Sequence, residues 1–363
     1  MMPKLLLTTL LVLALMSAGT ASAEASPPLR FVGVVENRIW DDNPEESERI
    51  AALIAEAGFN SVRVFVPYSP SQAEIVNDSG RICAAAKAAY KHKLALFITI
   101  YGVRGSKPGF VPEQSSAVTR LIKTINDYLY WLGGDNGCAK EVRELRLEIM
   151  NEVNSKTFWR DEPNSPERYV RMLDRVYPAV KRKAKELGLE VTVIAGALAA
   201  SHNPLSYIKK MGEAARKLGI NYGIFDWFSF HPYPGGDLTL EGYARLKGAL
   251  RDAFGWTPEV LYSEFGIETQ IPSSKLGAYH SPGRTTAGVS EGQQAAAYRN
   301  FFAQSACQAG VVGGFLFHLF DDPPIANYWQ SGLYYADGTP KSSLPAVRQA
   351  ALDARSGAIA SCG

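Results

Sequence analysis

Along this chain a short apolar run, a polar loop and a stretch of helical period recur in that order. The apolar runs fall at 31–35, 61–66, 94–100, 145–150, 190–196, 225–230, 259–263 and 313–319. Between them lie helical patterns such as 44–57, 166–187 and 205–218, stopped by Gly58, Gly188 and Gly219 just past the last turn. Runs that are apolar throughout, rather than at alternate positions, suit strands of a parallel sheet covered on both faces. Alternating strand and helix with eight strands predicts α/β architecture, a (β/α)8 TIM barrel. A doubly wound open sheet is the competing topology, but no G-x-G-x-x-G follows the first strand. No Pro/Ser-rich linker or charge run divides the chain, so a single domain is expected.

The first residues read differently. Lys4 precedes an apolar stretch over 5–16, and small residues lead to Ala21-Ser22-Ala23. A positive start, an apolar stretch and an A-x-A site predict a signal peptide over 1–23, leaving 24–363 as the working domain of a secreted protein. The apolar stretch is short for a bilayer span, and no later segment reaches that length, so no membrane contact is expected after cleavage. No Cys lies near the cleavage site to take a lipid.

Composition narrows the classes further. With 38 Lys+Arg against 36 Asp+Glu, the net charge is +2, which argues against a nucleic-acid partner with its clustered basic face. At 46% hydrophobic and 20% charged, the chain has ample material for a large core and is not a disordered segment. The 5 His show no H-E-x-x-H or comparable spacing, and no G-x-S-x-G is present. Neither a metal site nor a serine nucleophile is expected.

In such a barrel chemistry sits where strands end. Strand two carries Arg63, strand four runs Glu148-Ile149-Met150-Asn151-Glu152-Val153-Asn154, and strand six ends Phe230-His231-Pro232-Tyr233. Strand seven ends Ser263-Glu264-Phe265-Gly266, and strand eight Phe317-His318-Leu319-Phe320-Asp321-Asp322. Glu152 and Glu264 therefore face each other across the barrel mouth. Two facing carboxylates are what glycoside hydrolysis needs: one protonates the leaving oxygen, the other attacks or stabilises the anomeric centre. A helix cap or surface ion pair would account for one such Glu, but not for two at opposed strand ends. Glu148 lies four residues before Glu152 and is read as a structural polar group deeper in the barrel. Arg63 inside an apolar run is costly unless it is paired.

Asn151-Glu152, His231-x-Tyr233 and Glu264, in register with eight repeats, resemble the clan A glycoside hydrolases, in particular secreted bacterial cellulase-like proteins of the family 5 and family 39 kind. The resemblance runs from Gly33-Val34 to the Trp329–Lys341 segment. It implies a retaining double displacement on a β-linked poly- or oligosaccharide, with Glu152 as general acid/base, Glu264 as nucleophile and no cofactor. It further implies that Arg63 pairs with Glu264, Asn151 binds the sugar 2-hydroxyl, Tyr233 orients the nucleophile and His231 lines the floor. Two positions depart from the family pattern: Val153 follows Glu152 where Pro is common, and Phe317-His318 stands where relatives place a Trp. Trp329 or Trp159 is expected to supply the stacking face instead. The different-class alternative is an inactive barrel that binds cell-wall or exopolysaccharide glycan without cleaving it.

The stretch 271–289, long and polar, is expected at the mouth as a lid. Four cysteines in an exported chain predict two disulfides. Cys83–Cys138 and Cys307–Cys362 is the pairing that joins neighbouring parts of a barrel twice, each bridge contributing about 2–4 kcal/mol. Nothing in the sequence points to an obligate assembly, and a monomer is expected.

Overall fold

Side chains on each strand divide between two environments. In the first strand, β1 (Phe31–Val35), Val32 and Val34 join the large apolar layer beneath the helices, while Phe31 and Val35 join a smaller cluster with Phe97, Ile194, Trp227, Leu261 and Phe315. That period of two, apolar on both faces, is why the runs read as continuously hydrophobic. The structure is a computed structural model and describes residues 27–68, 79–102, 115–133, 137–139, 141–159, 164–234, 236–280, 288–323, 329–359 and 362. The expected signal peptide lies outside these residues.

After β1 the elements follow in strict alternation. They are α1 (Pro44–Glu56), β2 (Ser61–Tyr68), α2 (Ser79–Lys91), β3 (Ala95–Gly102), α3 (Ser115–Gly133), β4 (Glu144–Ile149) and α4 (Ser165–Leu187). Then come β5 (Glu190–Ala199), α5 (Pro204–Lys217), β6 (Trp227–His231), α6 (Leu240–Phe254), β7 (Glu259–Phe265), α7 (Glu291–Ala306), β8 (Val311–Phe317) and α8 (Leu344–Ser356). The eight strands pair in parallel, each with its sequence neighbours, and β8 closes on β1 through Gly33 opposite Phe315. This is the (β/α)8 barrel in a single domain.

Local chemistry explains the helix limits. Asn43 accepts the Glu45 N–H to start α1, Thr239 does the same for Gly242 in α6, and Ser290 with Gln293 closes a capping box on α7. Gly58, Gly188 and Gly219 have φ of 91°, 64° and 70°, the left-handed region that ends a helix. Two strands start two residues away from the sequence limits. β8 begins at Val311, before the two glycines that hide its start, and β6 begins at Trp227 because Phe225 packs instead on Phe254, ring centroids 5.0 Å apart.

Both disulfides take the expected pairing, Cys83–Cys138 with Cα atoms 5.7 Å apart and Cys307–Cys362 with 5.2 Å. The second ties the end of α7 to residue 362. Among the described residues no helix is long and apolar enough to cross a membrane.

The 271–289 segment departs from a free lid in its described part. It contains a 3-10 helix, Ser273–Ala278, and Ile271 and Tyr279 are buried against Tyr335. Tyr279 donates its hydroxyl to Asp321 at 2.6 Å, and Thr269 and Val289 form a bridge at the base of the excursion. Three aromatic or aliphatic anchors and a buried hydrogen bond hold it down. Residues 281–287 lie outside the described residues.

Candidate active site

Above the apolar plug of the barrel sits a polar layer built on Arg63. Its guanidinium is 1% exposed and makes bonds in three directions. Nε donates to Glu148 Oε2 at 2.9 Å, Nη1 to Glu264 Oε1 at 2.7 Å, and Nη2 to Asn151 Oδ1 at 3.0 Å. Nη2 also reaches Glu148. The expected pairing of Arg63 with Glu264 is present, and Glu148 shares the same cation. Thr99 and Ser263 fill the remaining acceptor positions of Glu148, at 2.6 and 3.1 Å. Burial is the largest influence and opposes the charge of Glu148, but Arg63, His231 and the Ser229 and Thr99 hydroxyls together hold the carboxyl below its ordinary value. In turn, burial works against the charge of Arg63, and Glu148 with Glu264 overcomes that and holds its pKa above the ordinary arginine value.

The end of β4 is bent so that its acids project differently. Met150 and Glu152 have φ of 72° and 39°, a region that costs non-glycine residues of order 1–3 kcal/mol each. The bend is locked from β5. A Cβ on Gly196 would lie 2.3 Å from the Ile149 carbonyl, so only glycine allows the approach. Tyr169 of α4 donates to the Ile149 carbonyl at 2.8 Å and accepts from the Gly196 N–H. Asn154 then exchanges two bonds of 2.9 Å with the backbone of Ala199, fixing the loop beyond Glu152.

Glu264, 4% exposed, ends β7 and accepts the Tyr233 hydroxyl at 2.7 Å. Burial and the adjacent Glu264 push the Tyr233 phenol well above its usual pKa, so it remains a donor. His231 is fully buried; its Nδ1 lies 3.0 Å from Glu152 Oε1 and 3.5 Å from Glu264 Oε2, and its Nε2 is 2.9 Å from Ser263 Oγ. One ligating atom from each of Glu152, His231 and Glu264 lies within 4.8 Å of the others. These are also the residues whose donor types could hold a metal ion. Each is already engaged, Glu264 by Arg63 and Tyr233 and His231 by Glu152 and Ser263, so a metal would have to displace those bonds.

Both glutamates open onto a cavity of about 870 Å³ at the mouth, the size of a cleft for a small ligand. Phe65, Tyr101 and Phe158 form one aromatic wall, with successive ring centroids 5.4 and 6.4 Å apart. Tyr233, Trp329 and Phe317 form the other: Trp329 lies 5.1 Å from Tyr233 at a 32° tilt and edge-on to Phe317 at 5.7 Å. His318 and Asp322 complete that wall. Burial and the nearby Arg38 charge push the His318 imidazole down to about 3, and burial pushes the Asp322 carboxyl up to about 6.

The structure thus gathers Arg63, Asn151, Glu152, His231, Tyr233, Glu264 and Trp329 at one place. Trp159 is a correction. It is 2% exposed and packs edge-on against Tyr169 at 5.7 Å, so it cannot offer a face to a ligand. Its neighbour Phe158 lines the cavity instead, because the turn Ser155–Trp159 points adjacent side chains in opposite directions. His231 lies beneath the cavity rather than in its lining. Sequence reasoning missed Phe65 and Tyr101; both sit near the C-terminal ends of their strands, the signal that could have found them. It also missed Lys341, fully buried and paired with Asp321 at 2.7 Å, which holds the loop carrying Trp329 through the Gln330 carbonyl at 3.3 Å.

No protein-family model and no curated protein matches this chain. Solved structures do. A family 39 glycoside hydrolase from the gut symbiont Bacteroides cellulosilyticus WH2 superposes with a TM-score of 0.61 at 18% identity, over 90% of this chain and 64% of that one. A GH5_18 structure from Streptomyces cattleya in complex with GlcNAc gives 0.61 at 16% identity, over 91% and 81%. The endo-1,4-beta-mannanase from Rhizomucor miehei gives 0.61 at 13% identity, over 91% and 96%. The chain therefore spans about two thirds of the family 39 structure. What these likenesses establish is the shared architecture: the eight-stranded parallel barrel fits the clan A (β/α)8 glycoside hydrolases.

Proposed function

We propose that this protein is a secreted retaining glycoside hydrolase that cleaves β-glycosidic bonds of a poly- or oligosaccharide by double displacement. The observation that carries this is the pair of carboxylates from β4 and β7, with oxygens within 4.8 Å of each other across the floor of an aromatic cleft. Retaining enzymes hold their two carboxyls about 5–5.5 Å apart, inverting ones about 6.5–9.5 Å, to admit a water. One oxygen of Glu152 comes within 4.8 Å of one of Glu264, a close approach that is consistent with the shorter, retaining arrangement.

In the first step Glu264 attacks the anomeric carbon as Glu152 gives its proton to the departing glycosidic oxygen. In the second, Glu152 takes a proton from water, whose oxygen displaces Glu264 and restores the β-configuration. Arg63 and Tyr233 donate to separate oxygens of Glu264, which keeps it aimed. Ser263 bridges Glu148 and His231 Nε2, and the imidazole Nδ1 faces Glu152. Asn151 spends its carbonyl oxygen on Arg63 and lines the cavity, so its NH2 remains to donate to a sugar hydroxyl.

Turnover of a panel of aryl β-glycosides and polysaccharides tests the reading. Glu264→Gln should abolish hydrolysis while the protein still folds. Full activity in that variant would overturn the assignment, and saturable binding by the parent protein without any turnover would favour the inactive glycan-binding barrel.

A further inference from the structure

One side of the cavity carries charge that the hydrolytic mechanism does not use. Asp322 lies just past β8 with His318 and Trp329 around it. Asp322 and Trp329 are held as a unit: the Asp322 N–H donates to the Trp329 carbonyl at 3.0 Å, the Trp329 N–H reaches Asp322 Oδ2 at 3.3 Å, and Gln330 Nε2 donates to the Asp322 carbonyl at 3.0 Å. The carboxylate is therefore tied to the Trp329 backbone in the same cavity wall, with one long hydrogen bond among the described residues, although two oxygens offer about four acceptor positions.

Its described neighbours leave it short of donors. His318 Nδ1 is buried without a hydrogen-bond partner among the described residues and stands 3.7 Å from Asp322 Oδ1, beyond hydrogen-bonding range. Arg38, the cation nearest by charge, is committed elsewhere: it donates to the Asp321 carbonyl at 3.3 Å and lies 4.3 Å over the Phe320 ring. A carboxylate partly withdrawn from water, short of donors among the described residues and sharing a cavity wall with an aromatic plane matches one chemical shape well. A sugar ring lays its C–H face on an indole and turns its hydroxyl edge outward, where a carboxylate can take one or two O–H donors.

The cavity's charge sharpens the choice of sugar. Its described lining contains Glu152, Glu264 and Asp322 and no Lys or Arg; Arg63 sits below, occupied by Glu148 and Glu264. A sugar bearing a carboxylate would meet like charge, with no Lys or Arg among the described lining residues to pair it.

We propose that Asp322, with His318 beside it, determines specificity by taking the hydroxyl edge of an uncharged sugar stacked on Trp329 and by excluding uronic acids. This rests on the glycosidase reading for its kinetic test but not for its binding test. The kinetic test compares kcat/KM on 4-nitrophenyl β-D-glucoside, β-D-mannoside, β-D-galactoside and β-D-xyloside with that on the β-D-glucuronide. The parent protein should favour its best neutral glycoside over the glucuronide by at least about 100-fold. Asp322→Asn should lower the neutral rate about 10- to 100-fold, as loss of charge-assisted hydrogen bonds does. It should leave the glucuronide rate level or raised, so that the preference collapses while the unfolding midpoint holds. Equal loss on both substrates would mark a merely structural role and overturn the proposal, as would a parent preference for the glucuronide.

The binding test uses calorimetry with cellotetraose, mannotetraose and tetragalacturonate. A neutral tetrasaccharide should bind the parent protein and bind Asp322→Asn at least about 10-fold more weakly, with no binding of the uronate by the parent. Should the parent bind in this pattern yet hydrolyse nothing, the hydrolytic reading falls and the specificity proposal stands. Unchanged affinity in Asp322→Asn, or binding of no neutral sugar by the parent, overturns it.

Discussion

His231 Nδ1 and Glu152 Oε1 lie 3.0 Å apart, joining the end of β6 to the end of β4 at the floor of the cleft. Because Ser263 fixes the other ring nitrogen at 2.9 Å, the imidazole is held from both sides and cannot swing into the cavity. In the proposed mechanism it acts through Glu152.

This relation sets an expectation for two variants. General acid assistance contributes about 10²- to 10⁴-fold. Glu152→Ala should lose that factor on alkyl or sugar leaving groups and far less on 2,4-dinitrophenyl glycosides, whose leaving group needs little protonation. His231→Ala should show the same split in weaker form. Equal loss on both substrate types in Glu152→Ala would count against its role as the acid.

Arg63 has a stability role that pH exposes. Arg63→Met leaves Glu148 and Glu264 buried without their cation, a change that costs about 3–5 kcal/mol at neutral pH. In the parent protein the folded-state value of Glu148 is depressed. Its stabilisation is therefore complete above the ordinary carboxylate value of 4.5 and is lost as pH falls through the lower folded value. In the variant Arg63 no longer favours ionisation, so acidification should restore stability relative to pH 7. Urea midpoints at pH 7 and pH 4 decide: the gap between variant and parent should narrow at pH 4, and a constant gap contradicts the account.

Glu36, 4% exposed at the end of β1, runs the other way. Burial pushes its carboxyl up to about 6, although the Arg38 and Phe320 N–H groups donate to it at 3.0 and 3.2 Å. A raised carboxylate binds its proton more tightly in the folded state, so this group favours folding below its unfolded value and loses that contribution as pH rises from about 4.5 to about 6. The loss is on the order of 2 kcal/mol. Glu36→Gln should therefore be more stable than the parent at pH 7.5 and no more stable at pH 4. Thermal unfolding at the two pH values checks this; a variant less stable at pH 7.5 contradicts it.

The barrel was legible because both faces of each strand are apolar and each helix carries its own stop, as with α1, α4 and α5. The acids were legible because strand ends supply the only turn from apolar run to Asn-Glu or Glu-Phe-Gly. Trp159 was not. A Phe-Trp pair in a loop does not say which ring turns inward, and the backbone bond from the Trp159 N–H to the Ser155 carbonyl, 2.8 Å, decides it. Phe65 and Tyr101 were hidden among core aromatics, since an inward position near a strand end looks the same in sequence as one lower down. Lys341 was hidden for a different reason: its partner Asp321 lies 20 residues away in a loop with no period.

The two tryptophans should separate accordingly. Trp329→Ala should raise KM on oligosaccharides about 10-fold or more with little change in the unfolding midpoint, since aromatic stacking is lost but the core is not. Trp159→Ala should lower the midpoint through the cavity it leaves, a cost of about 3–5 kcal/mol, at an unchanged KM. The reverse pattern would place the sugar platform at Trp159.

The central claim is that Glu264 forms a glycosyl ester. Its most direct test is peptide mapping by mass spectrometry after incubation with a panel of 2-deoxy-2-fluoro aryl β-glycosides, which slow the second displacement and accumulate the intermediate. The account predicts a single glycosyl adduct on the carboxylate of Glu264. An adduct on Glu152 or another residue, or none from the fluoro analogue of a glycoside that the protein hydrolyses, would contradict it.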